Sequence, residues 1–595
     1  MQAHKWILTG ATMLALAVTA NLSLAQNDVP TQGAACQGLK QLTGAALADP
    51  TAIVEQADLR AASAGGPTPG AAAGGRGGPP VGPMPAHCEI LGKMQEHSGP
   101  NGQTYAIRFH LRMPTAWNGR FFFQGGGGTD GNIGAATGAL LGAQTDTALN
   151  MGYAVVTTDS GHDNTRNNDP KLQGTATFGW DEQARRNYGF ASIGTVTKTA
   201  KALIKSFYGR VPSYSYFVGS SKGGQEAFMA AQRFGGEFDG VLAGYPGFRL
   251  ATAGSVGEMW DDQAFAAVSQ KAGALDADGL PLLNKAFTDG DLALVSDAIL
   301  AACDALDGTK DSMVENFPAC TTALVSPQLA KITCAGAKTD ACISSDQVTA
   351  LKRVYGGARD TQGNLLYQTW PWDAGLGGKT PTGYFGGWRM WKLGRYDATA
   401  NNAANVTLAG GSVSSVFISP PVPVAADPQS LTRYVLGVDV VKNDAASKFK
   451  WGSFHESSVD FMNADSHDLT GFASHGGKLL IYHGVSDPVF SINDTIAWWT
   501  AVDKVEKGKA ARFVRLFPVP GMNHGGGGPS TDQIDLFSAL VAWTEKGAAP
   551  DSLVGTARAG TNWPGRTRLL CPWPQQPRYV SGDSEKASSF ACKNI

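Results

Sequence analysis

The stretch YFVGSSKGGQEAF, residues 216–228, decides how this chain is read. Gly219, Ser221 and Gly223 fit G-x-S-x-G with Ser221 at the centre. That pattern marks a tight turn from a strand into a helix, which pushes a serine oxygen out of the sheet. Ser220 fits no such frame, because Val218 stands where the pattern needs glycine. The flanks suit the turn: YSYFVG reads as a strand and GGQEAFMAAQRF as a helix. A five-residue pattern is weak by itself in a chain with 75 glycines, so a polar turn without chemistry is the competing reading.

Working outward, TYAIRFHLRMP (104–114) alternates like a half-buried strand. GRFFFQGGGG and GYAVVTTDSGHD are short apolar runs that end in glycine or polar residues. RNYGFASIGTVTKTAKALIKSFYG has helical spacing, and FDGVLAGYPG is a strand and turn. Strands alternating with helices predict an α/β fold with a parallel sheet. The rhythm is lost over residues 250–465, which hold four of the eight cysteines and many Gly- and Asn-rich stretches. It resumes at GKLLIYHGVSDPVFS, ARFVRLFPVPGMNHGGGG and TDQIDLFSALVAWTEKG. An α/β core in two parts, 26–249 and 466–595, interrupted by a large insertion, explains this pattern.

A serine needs a base within hydrogen-bond reach, and the base needs an orienting acid. Asp487 and His524 each follow a predicted strand, in the chain order Ser, acid, His that α/β-hydrolases use. Asp494 is the rival acid, further into the next helix; His162, His455, His467, His475 and His483 read as structural or surface residues. The oxyanion formed on attack needs backbone N–H donors. The Lys222 amide is one, and FFFQGGGGTDG supplies the other from Gly127 or Gly128. Gly126, Gly128 and Gly131 also satisfy G-x-G-x-x-G, a dinucleotide fingerprint, but the Ser, Asp, His order accounts for the same glycines better.

With 48 Lys and Arg against 50 Asp and Glu, the formal net charge of -2 excludes the basic footprint of a nucleic-acid binder. The first 25 residues read as a secretory signal: Lys5, an apolar run over 7–18, then Ser23 and Ala25 at a cleavage site. That run is shorter than the ~20 residues a membrane span needs, and no later stretch qualifies. A secreted or periplasmic protein without a membrane span is expected; no feature fixes its oligomeric state, and a monomer is the default. Eight cysteines behind a signal suggest disulfides. Pairing sequence neighbours would give four, although spacing alone does not fix connectivity. Residues 61–85, rich in Ala, Gly and Pro, form a loop without core-forming capacity.

CDALDGTKDSMVENFPAC (303–320) crowds Asp304, Asp307, Asp311 and Glu315 around Gly308. Hard cations such as Ca²⁺ want several oxygens, and the carbonyls of Thr309 and Met313 alternate with Asp311. The spacing is not that of an EF-hand, and a solvated acidic turn closed by a disulfide fits equally well.

Several stretches together resemble the tannase and feruloyl esterase family of secreted α/β-hydrolases: MPTAWNGRFFFQGGGGTDG, SYFVGSSKGGQEA, CDALDG, LIYHGVSDPVFS, LFPVPGMNHGGGGPSTD and RTRLLCPWPQ. The resemblance implies a hydrolase core with a lid at 250–465, and Ser221, Asp487 and His524 as triad. It implies Gly128 and Lys222 amides as the oxyanion hole. Calcium would lie in the lid on the side chains of Asp304, Asp307 and Asp311 and the carbonyls of Thr309 and Met313. Trp391 and Phe490 would be aromatic walls for a small aromatic ester. Two departures stand out. The family usually joins a cysteine beside the nucleophile to one after the histidine; here these positions are Ser220 and Gly525, which predicts a more mobile His524 loop. The branch that cleaves hydroxyethyl terephthalate esters meets the substrate carboxylate with an arginine, and here that position reads as Asn405. An amide cannot make a bidentate charged pair. Neutral terephthalate diesters, feruloyl or gallate esters are therefore expected ahead of the mono-acid ester. A calcium-dependent binding protein on an inactive hydrolase scaffold is the remote alternative.

Overall fold

The computed structural model describes residues 29–64, 82–100, 102–377 and 387–594. The signal segment 1–25 and most of the Ala/Gly/Pro-rich loop lie outside the described residues. Nine strands form one sheet: β1 (Ile53–Arg60), β2 (His87–Ser98), β3 (Thr104–Pro114), β4 (Arg120–Gln124), β5 (Ala154–Thr158), β6 (Tyr214–Ser220), β7 (Gly240–Gly244), β8 (Lys478–Gly484) and β9 (Val514–Val519). Their spatial order is β1-β2-β3-β5-β4-β6-β7-β8-β9. The pairs β1/β2, β2/β3 and β3/β5 are antiparallel, and every pair from β5/β4 to β8/β9 is parallel.

Side-chain period two explains the two-faced core. Along β4, Phe121 and Phe123 enter one apolar cluster and Phe122 the other. Helices Ser192–Tyr208, Lys222–Arg233 and Ile492–Val505 cover the first face, through Leu203, Phe228 and Trp498. Helix Leu536–Lys546 covers the second through Phe537 and Leu540. Strands covered on both faces become continuous apolar runs, and every residue of β5 and β7 is buried.

Between β7 and β8 the described residues contain helices and turns and no named strand. This segment has its own apolar cluster, with Phe265, Trp370, Trp372 and Trp388 among its members. The cluster extends onto Val485, Val489 and Phe490, the loop that leaves β8. The insertion therefore packs directly on the loop that carries Asp487. All eight cysteines pair with sequence neighbours: Cys36–Cys88, Cys303–Cys320, Cys334–Cys342 and Cys571–Cys592. None of the described helices is long and apolar enough to cross a membrane.

Candidate active site

Ser221 stands between β6 and helix Lys222–Arg233 at φ 61° and ψ -121°, a left-handed conformation rare for a residue with a side chain. The glycines around it are steric necessities. A Cβ on Gly219 would lie 2.2 Å from the Gly223 carbonyl oxygen, and one on Gly223 would lie 2.5 Å from that of Gly126. Hydrogen bonds to the Ser221 carbonyl from the Gly224 and Gln225 amides, at 3.0 and 3.1 Å, lock the turn.

Three loops at the C-terminal ends of β6, β8 and β9 bring Ser221, Asp487 and His524 together. His524 Nδ1 lies 2.9 Å from Asp487 Oδ2 and 3.1 Å from Oδ1. Its N–H donates to the carboxylate, which leaves Nε2, 2.9 Å from Ser221 Oγ, to accept the serine proton. Asp487 Oδ1 also accepts the Val489 and Phe490 amides. Burial pushes its carboxyl upward, but His524 and His483 outweigh that and hold it well below the usual range. His483 is buried, with Nε2 3.0 Å from the Phe490 carbonyl and 3.4 Å from Asp487 Oδ2. It fixes the acid loop, a role its sequence position did not signal. The rival Asp494 is paired with Arg249 at 2.7 Å.

Gly128, at φ 60°, and Lys222 line the same cavity as Ser221 and His524. The loop that carries Gly128 is anchored from below. Glu226 Oε2 accepts the Gly126 amide at 2.9 Å, and Asp130 Oδ1 accepts the Gly127 amide at 3.0 Å. Lys222 Nζ donates to Glu226 Oε1 at 2.5 Å and lies 3.4 Å from Asp130 Oδ2. Ser160 Oγ donates to Asp130, and the Tyr188 hydroxyl donates to the Gly128 carbonyl at 3.0 Å. One buried ammonium faces two buried carboxylates. Burial and the Glu226 charge push Asp130 up, against the pull of Lys222. Burial also works to raise Glu226, but Lys222 and the bonds from Asp130 and the Gly126 amide hold it down. The pair is therefore one acid and one anion. The i, i+4 spacing of Lys222 and Glu226 on a helix was the available sequence signal for it.

The cavity holds about 340 Å³, room for one substituted aromatic ring. Tyr245, Trp391 and Phe490 stand edge-on to the His524 ring, with centroids at 4.9, 4.9 and 5.4 Å. Trp391 and Phe490 line the cavity, and Asn405 is not among its lining residues. Asn405 is buried beside it, its amide 3.4 Å from Asp262 Oδ1, because its helical turn presents Leu408 and Ala409 to the cavity instead.

Ser220 and Gly525 stand where the family's crosslink would be, and other anchors hold the His524 loop. Asp373, from the insertion, accepts the Gly521 amide at 2.7 Å and the Ser486 hydroxyl at 2.8 Å, which ties the His524 and Asp487 loops together. Asp532 accepts the Gly527 amide at 2.6 Å and pairs with Arg558 at 2.7 Å.

In the acidic loop, Asp304 Oδ1 accepts the Asp311 and Ser312 amides at 3.0 Å, and Asp311 Oδ2 is 2.5 Å from the Arg568 guanidinium. No group of three His, Cys, Asp or Glu side chains among the described residues converges on one point. Asp307 Oδ2 is buried with no hydrogen-bond partner. Burial, then the charges of Asp311 and Asp304, push Asp307 up to about 6, against the Thr309 amide. That orphaned carboxylate oxygen is a feature of the loop that a hard cation would satisfy.

A mostly parallel sheet with a strained serine elbow and a Ser, His, Asp relay across its strand ends defines an α/β-hydrolase. Residues 88–593 match the model of the tannase and feruloyl esterase family, and the chain belongs to that family of carboxylic ester hydrolases. It is 44% identical over 525 residues to the mono(2-hydroxyethyl) terephthalate hydrolase of Piscinibacter sakaiensis, covering 86% of this chain and 85% of that one. It is 26% identical to the tannase of Aspergillus oryzae over 564 residues, 84% of this chain and 83% of the relative. The crystal structure of feruloyl esterase B from Aspergillus oryzae superposes with a TM-score of 0.67 over 94% of this chain and all of that one. At 22% identity that likeness speaks for the fold alone.

Proposed function

We propose that the protein is a secreted serine esterase of small aromatic carboxylic esters, with uncharged ring substituents preferred to a free carboxylate. Ser221 Oγ attacks the ester carbonyl while His524 Nε2 takes its proton. Asp487 orients the imidazole and stabilises its charged form. The Gly128 and Lys222 N–H groups hold the oxyanion, and His524 then protonates the departing alcohol. Water activated by His524 attacks the acyl-enzyme, and Ser221 regains its proton. The single observation that carries this reading is the Ser221–His524–Asp487 relay, at 2.9 and 2.9 Å, inside an aromatic-walled cavity.

The preference for neutral esters rests on the lining. No arginine is among the described residues of the cavity wall, and the Lys222 ammonium is turned away to Glu226. Two neighbouring substrate classes fit the family, hydroxyethyl terephthalate esters and plant phenolic esters. Initial rates on bis- and mono-(2-hydroxyethyl) terephthalate, methyl ferulate and methyl gallate, with Ser221→Ala as control, decide. Dominance of the mono-acid ester refutes the neutral preference; turnover that survives in Ser221→Ala refutes the mechanism.

Calcium belongs to the same reading, on the carboxylates of Asp304, Asp307 and Asp311 and the carbonyls of Thr309 and Met313. Bound there, it would neutralise crowded carboxylates and brace the loop, with no part in the ester chemistry. Four disulfides support an oxidising compartment, the periplasm or the medium.

A further inference from the structure

The cavity wall is mostly apolar; among its polar side chains, Glu258 and Ser412 take no part in the relay or the oxyanion loop. Glu258 ends the helical turn Ala253–Glu258 that follows β7. It lines the cavity, is 4% exposed, and its Oε2 has no hydrogen-bond partner. Ser412, from helix Gly410–Ser415, lines the same cavity, and its Oγ also lacks a partner. With Trp391 Nε1, three orphaned polar groups stand in one wall and call for an explanation, because each costs about 1–3 kcal/mol unless something bonds it.

The charge count around Glu258 is lopsided. The charged and titratable groups that face it are Lys392, Asp261, Asp262 and Asp487. Lys392 is fully buried and already donates to Asp261. Asp262 has only the Asn405 amide, at 3.4 Å. Asp487 is committed to His524. Lys392 is thus shared among three buried acids, Glu258, Asp261 and Asp262, with Arg353 helping Asp261, and burial pushes all three toward their neutral forms. Burial raises Glu258 first; Lys392 opposes, and Asp261 and Asp487 add to the rise, to about 8. At neutral pH its carboxyl can both donate and accept.

We propose that Glu258 and Ser412 form a polar subsite that takes an uncharged hydrogen-bonding substituent on the substrate's aromatic ring, a carbonyl or a hydroxyl, and rejects a ring carboxylate. This rests on the esterase reading above and deepens it. A ring carbonyl accepts from the Glu258 carboxyl or the Ser412 hydroxyl. A ring hydroxyl donates to either. A ring carboxylate enters a wall with no free cation among its described residues, next to acids whose ionisation it opposes. Once Glu258 ionises it can only accept, so a carbonyl substituent loses its donor while a hydroxyl keeps its acceptor.

The test compares kcat/KM, from pH 6.5 to 9.5, for methyl benzoate, methyl 4-acetylbenzoate, methyl 4-(hydroxymethyl)benzoate and monomethyl terephthalate. Ratios to methyl benzoate cancel the titration of the relay itself. Near pH 7 the acetyl and hydroxymethyl esters should exceed methyl benzoate by roughly ten- to hundredfold, and the carboxylate should fall below it. Across pH 8 the acetyl ratio should drop in the wild type and stay level in Glu258→Gln, whose amide remains a donor; the hydroxymethyl ratio should hold in both. Ser412→Ala should lower both ratios. Equal rates for all four substrates, a preferred carboxylate, or a fall that persists in Glu258→Gln overturns the subsite. If the Glu258 variant does not fold, the wild-type ratios across pH decide alone. Turnover of all esters without selectivity overturns the subsite only, whereas no turnover of any ester overturns the esterase reading with it.

Discussion

Replacing Glu226 by glutamine tests how the oxyanion loop is held. The change keeps an acceptor for the Gly126 amide, now 2.9 Å from Glu226, and removes the anion 2.5 Å from Lys222 Nζ. A buried ammonium left without a partner costs about 3–5 kcal/mol. That loss is not expected here, because Asp130 Oδ2 sits 3.4 Å from the same nitrogen. Asp130 carries its proton through burial and the Glu226 charge. With that charge gone, Asp130 ionises and becomes the partner. The single variant should therefore lose only about 1–2 kcal/mol, the difference between a charged and a neutral hydrogen bond. Asp130→Asn should lose a similar amount. The double variant strands Lys222 and should lose at least ~1 kcal/mol more than the two singles summed. The rate should follow, because the Gly128 amide depends on this anchorage. We expect kcat to fall about threefold in each single and about a hundredfold in the double, well beyond the roughly tenfold product of the singles and approaching the loss of one oxyanion donor, with KM little changed. Initial rates on a soluble aromatic ester and thermal unfolding read both quantities. Losses in the double that equal the sum of the singles, in rate and in stability, would refute the shared-proton anchor.

Asp487→Asn should lower kcat by about 10⁴-fold, since an amide no longer holds the Nδ1–H tautomer. Because the Asp487 carboxyl is held below its ordinary value, its ionised form stabilises the fold above that value and the contribution is lost as pH falls. Acid unfolding that begins below about pH 4 in the wild type should be blunted in the variant. Gly219→Ala drives a Cβ to within 2.2 Å of a backbone oxygen, so the elbow must shift; kcat should fall about a hundredfold or more, and an alanine variant with normal rates would contradict the packing of the turn. Chelation by EDTA should lower the midpoint of thermal unfolding by roughly 5 °C, reversibly on adding calcium, and Asp307→Asn should remove that response. An unchanged midpoint would count against calcium in the loop.

Much of the sheet was legible because its strands are apolar on both faces. RFFFQ, AVVTT and LLIYHG leave little else for the chain to do, and the residues that follow them carry the site. β1 and β2 were not legible. HCEILGKMQEHS mixes charge and glycine into its alternation, and it pairs with β1 across the Ala/Gly/Pro-rich insertion, so no local pattern announces it. Asp487 and His524 could be picked out because each ends a strand. Their supports could not: Asp373 reaches the Gly521 amide across 148 positions, and Arg568 reaches Asp311 across 257. Asn405 lies beside the cavity and not in its wall, since a position taken from a related pattern does not say which side of a helical turn faces the cavity. Glu258 gave no signal, since a glutamate in a helical pattern reads as surface until its burial is seen.

The most direct test of the central claim is chemical capture of the acyl-enzyme. The protein is mixed with excess bis(2-hydroxyethyl) terephthalate, quenched in acid within milliseconds, digested and mapped by mass. The account predicts one modified peptide, carrying the aromatic acyl group on Ser221 and absent from Ser221→Ala. Product formation with Ser221 unmodified at every quench time, and undiminished in Ser221→Ala, would contradict it.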